Sequence, residues 1–177
     1  MGTGLILKGN IMATLFGIIS VLIMAVYTAV MCKKMGRIPY SLSETYYRLE
    51  HNKWFGACMS MTGFTWMIAA LEVTPENYQF LTFLSFVGMM MISLSPNFKD
   101  KKGAIVHYSG TVLVLLCTQT WVVCTHPWIM TVWLLPVAYI IRYISKMGLG
   151  KLIDAKPVFW LEIAAFMVIY INLFVLC

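Results

Sequence analysis

With 177 residues, 60% of them hydrophobic and only 11% charged, the chain is too apolar for an ordinary soluble domain, where charged residues make up about a quarter. Six crossings of about 20 residues each would use about 115 residues, which leaves no length for a separate water-soluble domain. The net charge of +6 is not a nucleic-acid footprint, because its lysines and arginines stand beside the ends of apolar runs, where they set topology and meet anionic headgroups.

The first apolar run, 11–31, is followed by Cys32-Lys33-Lys34 in place of a small-residue cleavage site, so it reads as a span and not as a cleavable signal. Met1-Gly2 opens like a myristoylation start, but Ile6 stands where Ser or Thr is required. Ala13, Gly17 and Ser20 give this run a small-residue stripe on which a neighbouring backbone can approach closely. In the loop that follows, Ser41-Leu42-Ser43-Glu44 fits the capping-box pattern. Leu42, Tyr46, Leu49 and Lys53 then recur at helical spacing, with Glu44, Arg48 and His51 on other faces. This pattern predicts a short amphipathic helix lying in the membrane interface, with Tyr40, Tyr46 and Tyr47 at headgroup level.

The second span, 54–71, carries another small-residue stripe at Gly56, Ser60 and Gly63. A tight turn with solvated Glu72 and Glu76 leads to the third span, 78–95, which Pro96 ends. The fourth span, 104–124, sets His107, Thr111 and Thr118 on one face. The turn Thr125-His126-Pro127-Trp128 is so short that spans four and five must be antiparallel neighbours. Span five, 129–145, is expected to bend at Pro136. A Gly-containing loop then leads to span six, 157–176, with Pro157 in its first turn. The reading is therefore all-α: one integral membrane domain over 1–177, a polytopic bundle of six helices with a short interfacial helix between the first two.

All lysines and arginines except Arg142 and Lys8 fall in the first, third and fifth loops or at their edges. Arg142 lies one turn inside the same boundary, which leaves Lys8 alone on the other side. By the positive-inside rule those three loops face the cytoplasm and both termini face away from it.

Three ionisable residues, His107, Arg142 and Glu162, share one depth near the basic end. Intramembrane charges usually face the bundle and pair. Arg142 either pairs with Glu162 on the next, antiparallel helix or snorkels to the headgroups. His107 is either a hydrogen-bonded packing residue or the centre of a rim cluster with Asp100, Ser95, Glu44 and Ser43, in which Asp100 could orient its ring. The remaining histidines, His51 and His126, fall elsewhere, so no metal site and no cofactor is expected. The five cysteines form no Cys-x-x-Cys pair; Cys58 and Cys117 read as apolar fillers, while a Cys124–Cys177 disulfide is geometrically conceivable at the far face. Trp54, Trp66, Trp121, Trp128, Trp133 and Trp160 read as interface anchors, and Met89-Met90-Met91 as packing fillers.

The order of features resembles a loose family of six-helix membrane proteins that includes a bacterial group of unknown function, DRAM-type autophagy modulators and GPI-anchor-remodelling proteins. The residues that carry the resemblance are Ile38-Pro39-Tyr40-Ser41-Leu42-Ser43-Glu44 after the first helix, Ser95-Pro96-Asn97-Phe98-Lys99-Asp100 after the third, and His107 opening the fourth. It implies the fold and a lipid-related theme but no settled reaction. In the eukaryotic relatives the first loop faces the lumen, whereas the lysines here place it in the cytoplasm.

Three functions remain in view. The first is a non-enzymatic membrane protein whose polar cytoplasmic rim binds lipid headgroups, a protein partner or a second copy of itself. The second is a lipid-modifying hydrolase using Asp100 and His107 with a nearby serine such as Ser43. The third is a small transporter or channel subunit, against which stands the uncharged midplane.

Overall fold

The computed structural model describes residues 3–48 and 53–177, with side chains from Ile11 onward. Met1, Gly2, Leu49 and His51 lie outside the described residues, as do the side chains of Ile6 and Lys8. Among the described residues six α-helices follow one another: α1 (Thr3–Met35), α2 (Lys53–Val73), α3 (Gln79–Leu94), α4 (Lys101–Thr125), α5 (Leu134–Met147) and α6 (Pro157–Leu176). Short 3-10 segments lie in every connection except that between α3 and α4, and no strand occurs among the described residues. Among the same residues six segments are long and apolar enough to cross a membrane. Helices α1 to α4 pack in chain order, and α6 returns between α4 and α1.

Helix boundaries extend past the apolar runs because Lys and Arg are good helix formers. Helix α1 continues through Lys33 and Lys34 and stops at Gly36, whose φ of 62° puts it in the left-handed region where glycine is unstrained. Helix α4 starts at Lys101 because the Asp100 carboxylate accepts the Gly103 amide as an N-cap, at 3.1 Å.

Two expectations change. Over its described residues the segment after α1 is not an amphipathic helix lying flat: Ser43–Arg48 is a six-residue 3-10 segment, and Ser41, Leu42 and Thr45 are buried in the end of the bundle. Half of the capping box forms, the Glu44 amide donating to Ser41 Oγ at 3.1 Å, but the Glu44 carboxylate accepts the Tyr40 amide, one residue earlier than the box requires. Helix α5 is not a packed neighbour of α4. The chain runs as a 3-10 segment over Pro127–Trp133 before α5 begins, and α5 then rests on α6 and the flanking 3-10 segments. Within the fifth span the chain changes from 3-10 to α-helix at Leu134, and Pro136 sits in the first turn of α5, where a missing amide is tolerated.

Interhelical contact is made at small residues. A Cβ on Gly17 would come within 3.0 Å of Leu173, and Ala13 and Ser20 are fully buried, so the α1 stripe is a packing face. On α2, a Cβ at Gly56 would stand 2.8 Å from the Ser93 carbonyl oxygen, and one at Gly63 2.6 Å from Met89. A further close crossing lies outside both stripes. Gly88 of α3 and Gly110 of α4 face each other, and a Cβ on either would lie 2.8 or 2.7 Å from the other's carbonyl oxygen. Since lipid tails are as apolar as leucine, such backbone approach drives helix association in a bilayer more than burial does.

The core forms two layers. At the end away from the lysine-rich loops, Trp66 and Trp121 meet edge to face at 5.5 Å, so both are core residues and not interface anchors. Trp54 and Trp128 at helix ends are 61% and 59% exposed. At the lysine-rich end, Tyr27, Met31, Leu42, Phe55 and Phe159 pack together. Cys117 is buried in the core, while Cys124 and Cys177 are free thiols and not a disulfide.

Substituting Gly110 by alanine should cost about 1–3 kcal/mol through overpacking. Gly150, with open space around its Cβ position, serves as the control: Gly150→Ala should leave the melting temperature within about a degree while Gly110→Ala lowers it by several.

Candidate functional site

The polar residues of the lysine-rich end are organised by the segment 40–48. Burying a stretch of irregular backbone obliges each amide and carbonyl to find a partner. The Tyr40 carbonyl accepts the Phe159 amide at 3.0 Å, filling an orphan donor in the first turn of α6. The Leu42 amide donates to Glu162 Oε2 at 2.6 Å. Thr45 Oγ1 donates to the Leu42 carbonyl at 2.5 Å, which leaves Tyr27 as the donor in its 2.5 Å bond to Thr45 Oγ1. Tyr47 donates to Asn97 Oδ1 at 3.2 Å and accepts the Lys99 amide at 3.0 Å. The segment thereby ties α1, the α3–α4 loop and α6 together.

His107 is 3% exposed and stands between two partners. Its Nδ1 lies 3.1 Å from the Ser95 carbonyl oxygen and its Nε2 lies 3.1 Å from Ser43 Oγ. A carbonyl can only accept, so Nδ1 carries the proton. In the neutral ring Nε2 is then a free lone pair that accepts the Ser43 hydroxyl. Phe98 at 5.2 Å and Tyr108 at 5.8 Å, centroid to centroid, hold the ring in place.

The structure separates the other expected partners. Asp100 does not orient His107; its carboxylate is occupied by the Gly103 amide as the α4 cap. Glu44 points away from His107 and forms a small ion network, 2.8 Å from Arg37 and 3.9 Å from Arg48. Burial raises the Glu44 carboxyl, but the Tyr40 amide and the two guanidinium groups outweigh it and hold it below the usual carboxylate range. Arg142 and Glu162 are not an ion pair. Although α5 rests on α6, Arg142 is exposed, while Glu162 turns inward to the Leu42 amide. His107 and Glu162 are nevertheless linked, because they hold adjacent residues, Ser43 and Leu42, of the same turn.

Beneath that turn lies a cavity of about 350 Å³ between α2, α3, α4 and α6. Its walls are Phe55, Met59, Met89, Val114, Leu161 and Ile169, with Trp133 also on the boundary. Ser43, Glu162, Thr111 and Thr118 are the polar groups facing it. The two threonines already donate to carbonyls of their own helix, at 2.9 and 2.7 Å. That leaves Ser43 and Glu162 as the polar end of an otherwise apolar chamber. No group of three His, Cys, Asp or Glu able to hold a metal occurs among the described residues.

At the opposite end, Asn172 Oδ1 accepts both Thr125 Oγ1 and His126 Nδ1, at 3.0 and 2.9 Å, and Trp121 donates to Thr74 Oγ1 at 2.9 Å. Midway, Ser20 Oγ donates to the Thr62 carbonyl at 2.9 Å, so Tyr170 donates to Ser20 Oγ in their 2.7 Å bond. These links bind helices to one another. Sequence reading missed them, although Asn172 in a run of apolar residues was a visible signal.

Comparison of this chain with protein-family models, curated proteins and solved structures returns no match.

Replacing Glu162 by alanine should strand the buried Leu42 amide and cost about 1–3 kcal/mol. Glu162→Gln keeps an acceptor and should lose less; comparison of the two melting curves checks this. A carboxyl lowered on folding stabilises the fold above its unfolded pKa and loses that contribution as pH falls through the folded value. The melting-temperature gap between the wild type and Glu44→Gln should therefore be widest at neutral pH and close on acidification into the carboxylate range.

Proposed function

We propose that the chain is a multi-pass integral membrane protein that binds a lipid-like amphiphile, seating its apolar chain in the cavity and its polar head against Ser43 and Glu162. The observation that carries this reading is the cavity itself. Ligand chambers run from roughly 300 to 1,000 Å³, mostly apolar with a few placed polar groups, and this one has about 350 Å³ with its available polar groups at one end. A uniformly apolar void would show only a packing fault, and a uniformly polar one would suit a soluble metabolite.

The charge pattern supports the same assignment. The loops that hold nearly all the lysines and arginines lie at the end where Ser43 and Glu162 sit, so anionic headgroups would gather beside the polar end of the chamber. By that pattern the rim is cytoplasmic and both termini lie on the other face. The lipid theme agrees with the six-helix resemblance described above. Binding requires no second protein, and a partner or second copy at the basic rim is compatible with it.

Trp133 on the cavity boundary supplies a reporter. In lipid nanodiscs, dibromostearate should quench tryptophan fluorescence saturably, and part of that quenching should vanish in Trp133→Phe. Ala165 of α6 also lines the cavity, and Ala165→Phe, which fills it, should weaken binding about tenfold or more. Non-saturating quenching, or saturable quenching indifferent to Ala165→Phe, would refute the assignment.

A further inference from the structure

The binding reading leaves one feature of the chamber unexplained, the pairing of Ser43 with His107. Serine hydroxyls at a cavity wall commonly turn to a carbonyl of their own helix, as Thr111 and Thr118 do here. Ser43 instead meets the one ring nitrogen of His107 that is free to take a proton. The ring cannot present the other tautomer, because Nδ1 is committed to the Ser95 carbonyl. A nucleophile, a base within hydrogen-bond reach and a third group orienting the base is the arrangement that activates a serine. Here the orienting group is a backbone carbonyl, and the serine forms part of the wall of a largely apolar cavity.

We infer that Ser43 and His107 form a nucleophile–base pair that cleaves a long-chain acyl ester held in the cavity. The inference rests on the amphiphile-binding reading and names the reaction of that site. With the acyl chain among Met59, Val114 and Ile169, the ester carbonyl would lie at the polar end beside Ser43. Ser43 Oγ attacks the carbonyl carbon while its proton passes to His107 Nε2. The carbon–oxygen bond to the alcohol then breaks, and the alcohol leaves with the proton that His107 returns. Water attacks the acyl-serine with His107 again taking a proton, releasing the carboxylic acid and restoring the serine. No oxidant, metal or further reactant is required. The acid portion comes from the chamber side and the alcohol portion from the rim, so esters with long acyl chains are the substrate class.

The test uses the full chain in nanodiscs with two probes, hexadecyl fluorophosphonate and p-nitrophenyl palmitate. The expected result is one phosphonyl group on Ser43 by peptide mass spectrometry, no adduct in Ser43→Ala, and labelling and ester turnover slowed about 100-fold or more in His107→Gln. A cooperative melting transition retained by both variants shows that the fold is intact, so that loss of labelling or turnover is read as loss of the nucleophile or the base. Absence of a Ser43 adduct in a wild-type protein that binds dibromostearate saturably would overturn the inference while leaving the binding reading standing. An adduct that forms equally fast in His107→Gln would remove the base from it. Failure of the wild type to bind dibromostearate would overturn both.

Discussion

The structure depends on how the turn between α1 and α2 is satisfied. Residues 40–45 enter the end of the bundle with irregular backbone, and an amide or carbonyl left unpaired there would cost several kilocalories per mole in an apolar setting. Glu162, the Phe159 amide, Thr45 and Tyr27 meet that requirement from three directions. Because the partners come from distant parts of the chain, the turn cannot be seated until α1 and α6 are together. Closing the bundle and forming the roof of the cavity are one event. The Ser43–His107 contact adds α4 to the same set.

A second constraint acts at the crossings. Gly88 and Gly110 bring two backbones so close that no side chain fits between them, and Gly56 does the same between α2 and α3, where Gly63 makes room for the Met89 side chain. Tight contact along this side contrasts with the space enclosed between the helices, where α6 meets α4 across medium and large side chains. The cavity is thus a consequence of uneven helix spacing: α3 is held against α4 by glycine, while α6 meets α4 across larger side chains and is tied to the rest through Glu162, Tyr170 and Asn172.

Much of this was visible in the residues. Six apolar runs located the helices, and the stripes at Ala13, Gly17 and Ser20 and at Gly56, Ser60 and Gly63 fell on contact faces, because both signals are local and periodic. His107 and Glu162 stand out, with Arg142, for their shared depth, and Ser43 as a rim neighbour of His107. Their partners were not legible. Pairing Arg142 with Glu162 assumed that α5 and α6 pack side by side, which they do, but Arg142 is exposed and the Glu162 carboxylate is taken by the Leu42 amide. Pairing His107 with Asp100 overlooked the stronger local demand of the α4 amides for a cap. The inward burial of residues 41–45 was hidden for the same reason that the cavity was: both arise from contacts between positions more than a hundred residues apart, such as Leu42 with Glu162.

Helix α5 stands apart from α4, and Leu115 on the adjoining cavity wall is 37% exposed. In the membrane setting proposed above, that flank faces acyl chains and not water. Occupancy of the chamber would then follow the mole fraction of ligand dissolved in the leaflet, a two-dimensional reservoir, and aqueous solubility would drop out of the exchange. Dilution of the surrounding lipid, at unchanged bulk volume, becomes the variable that empties the site.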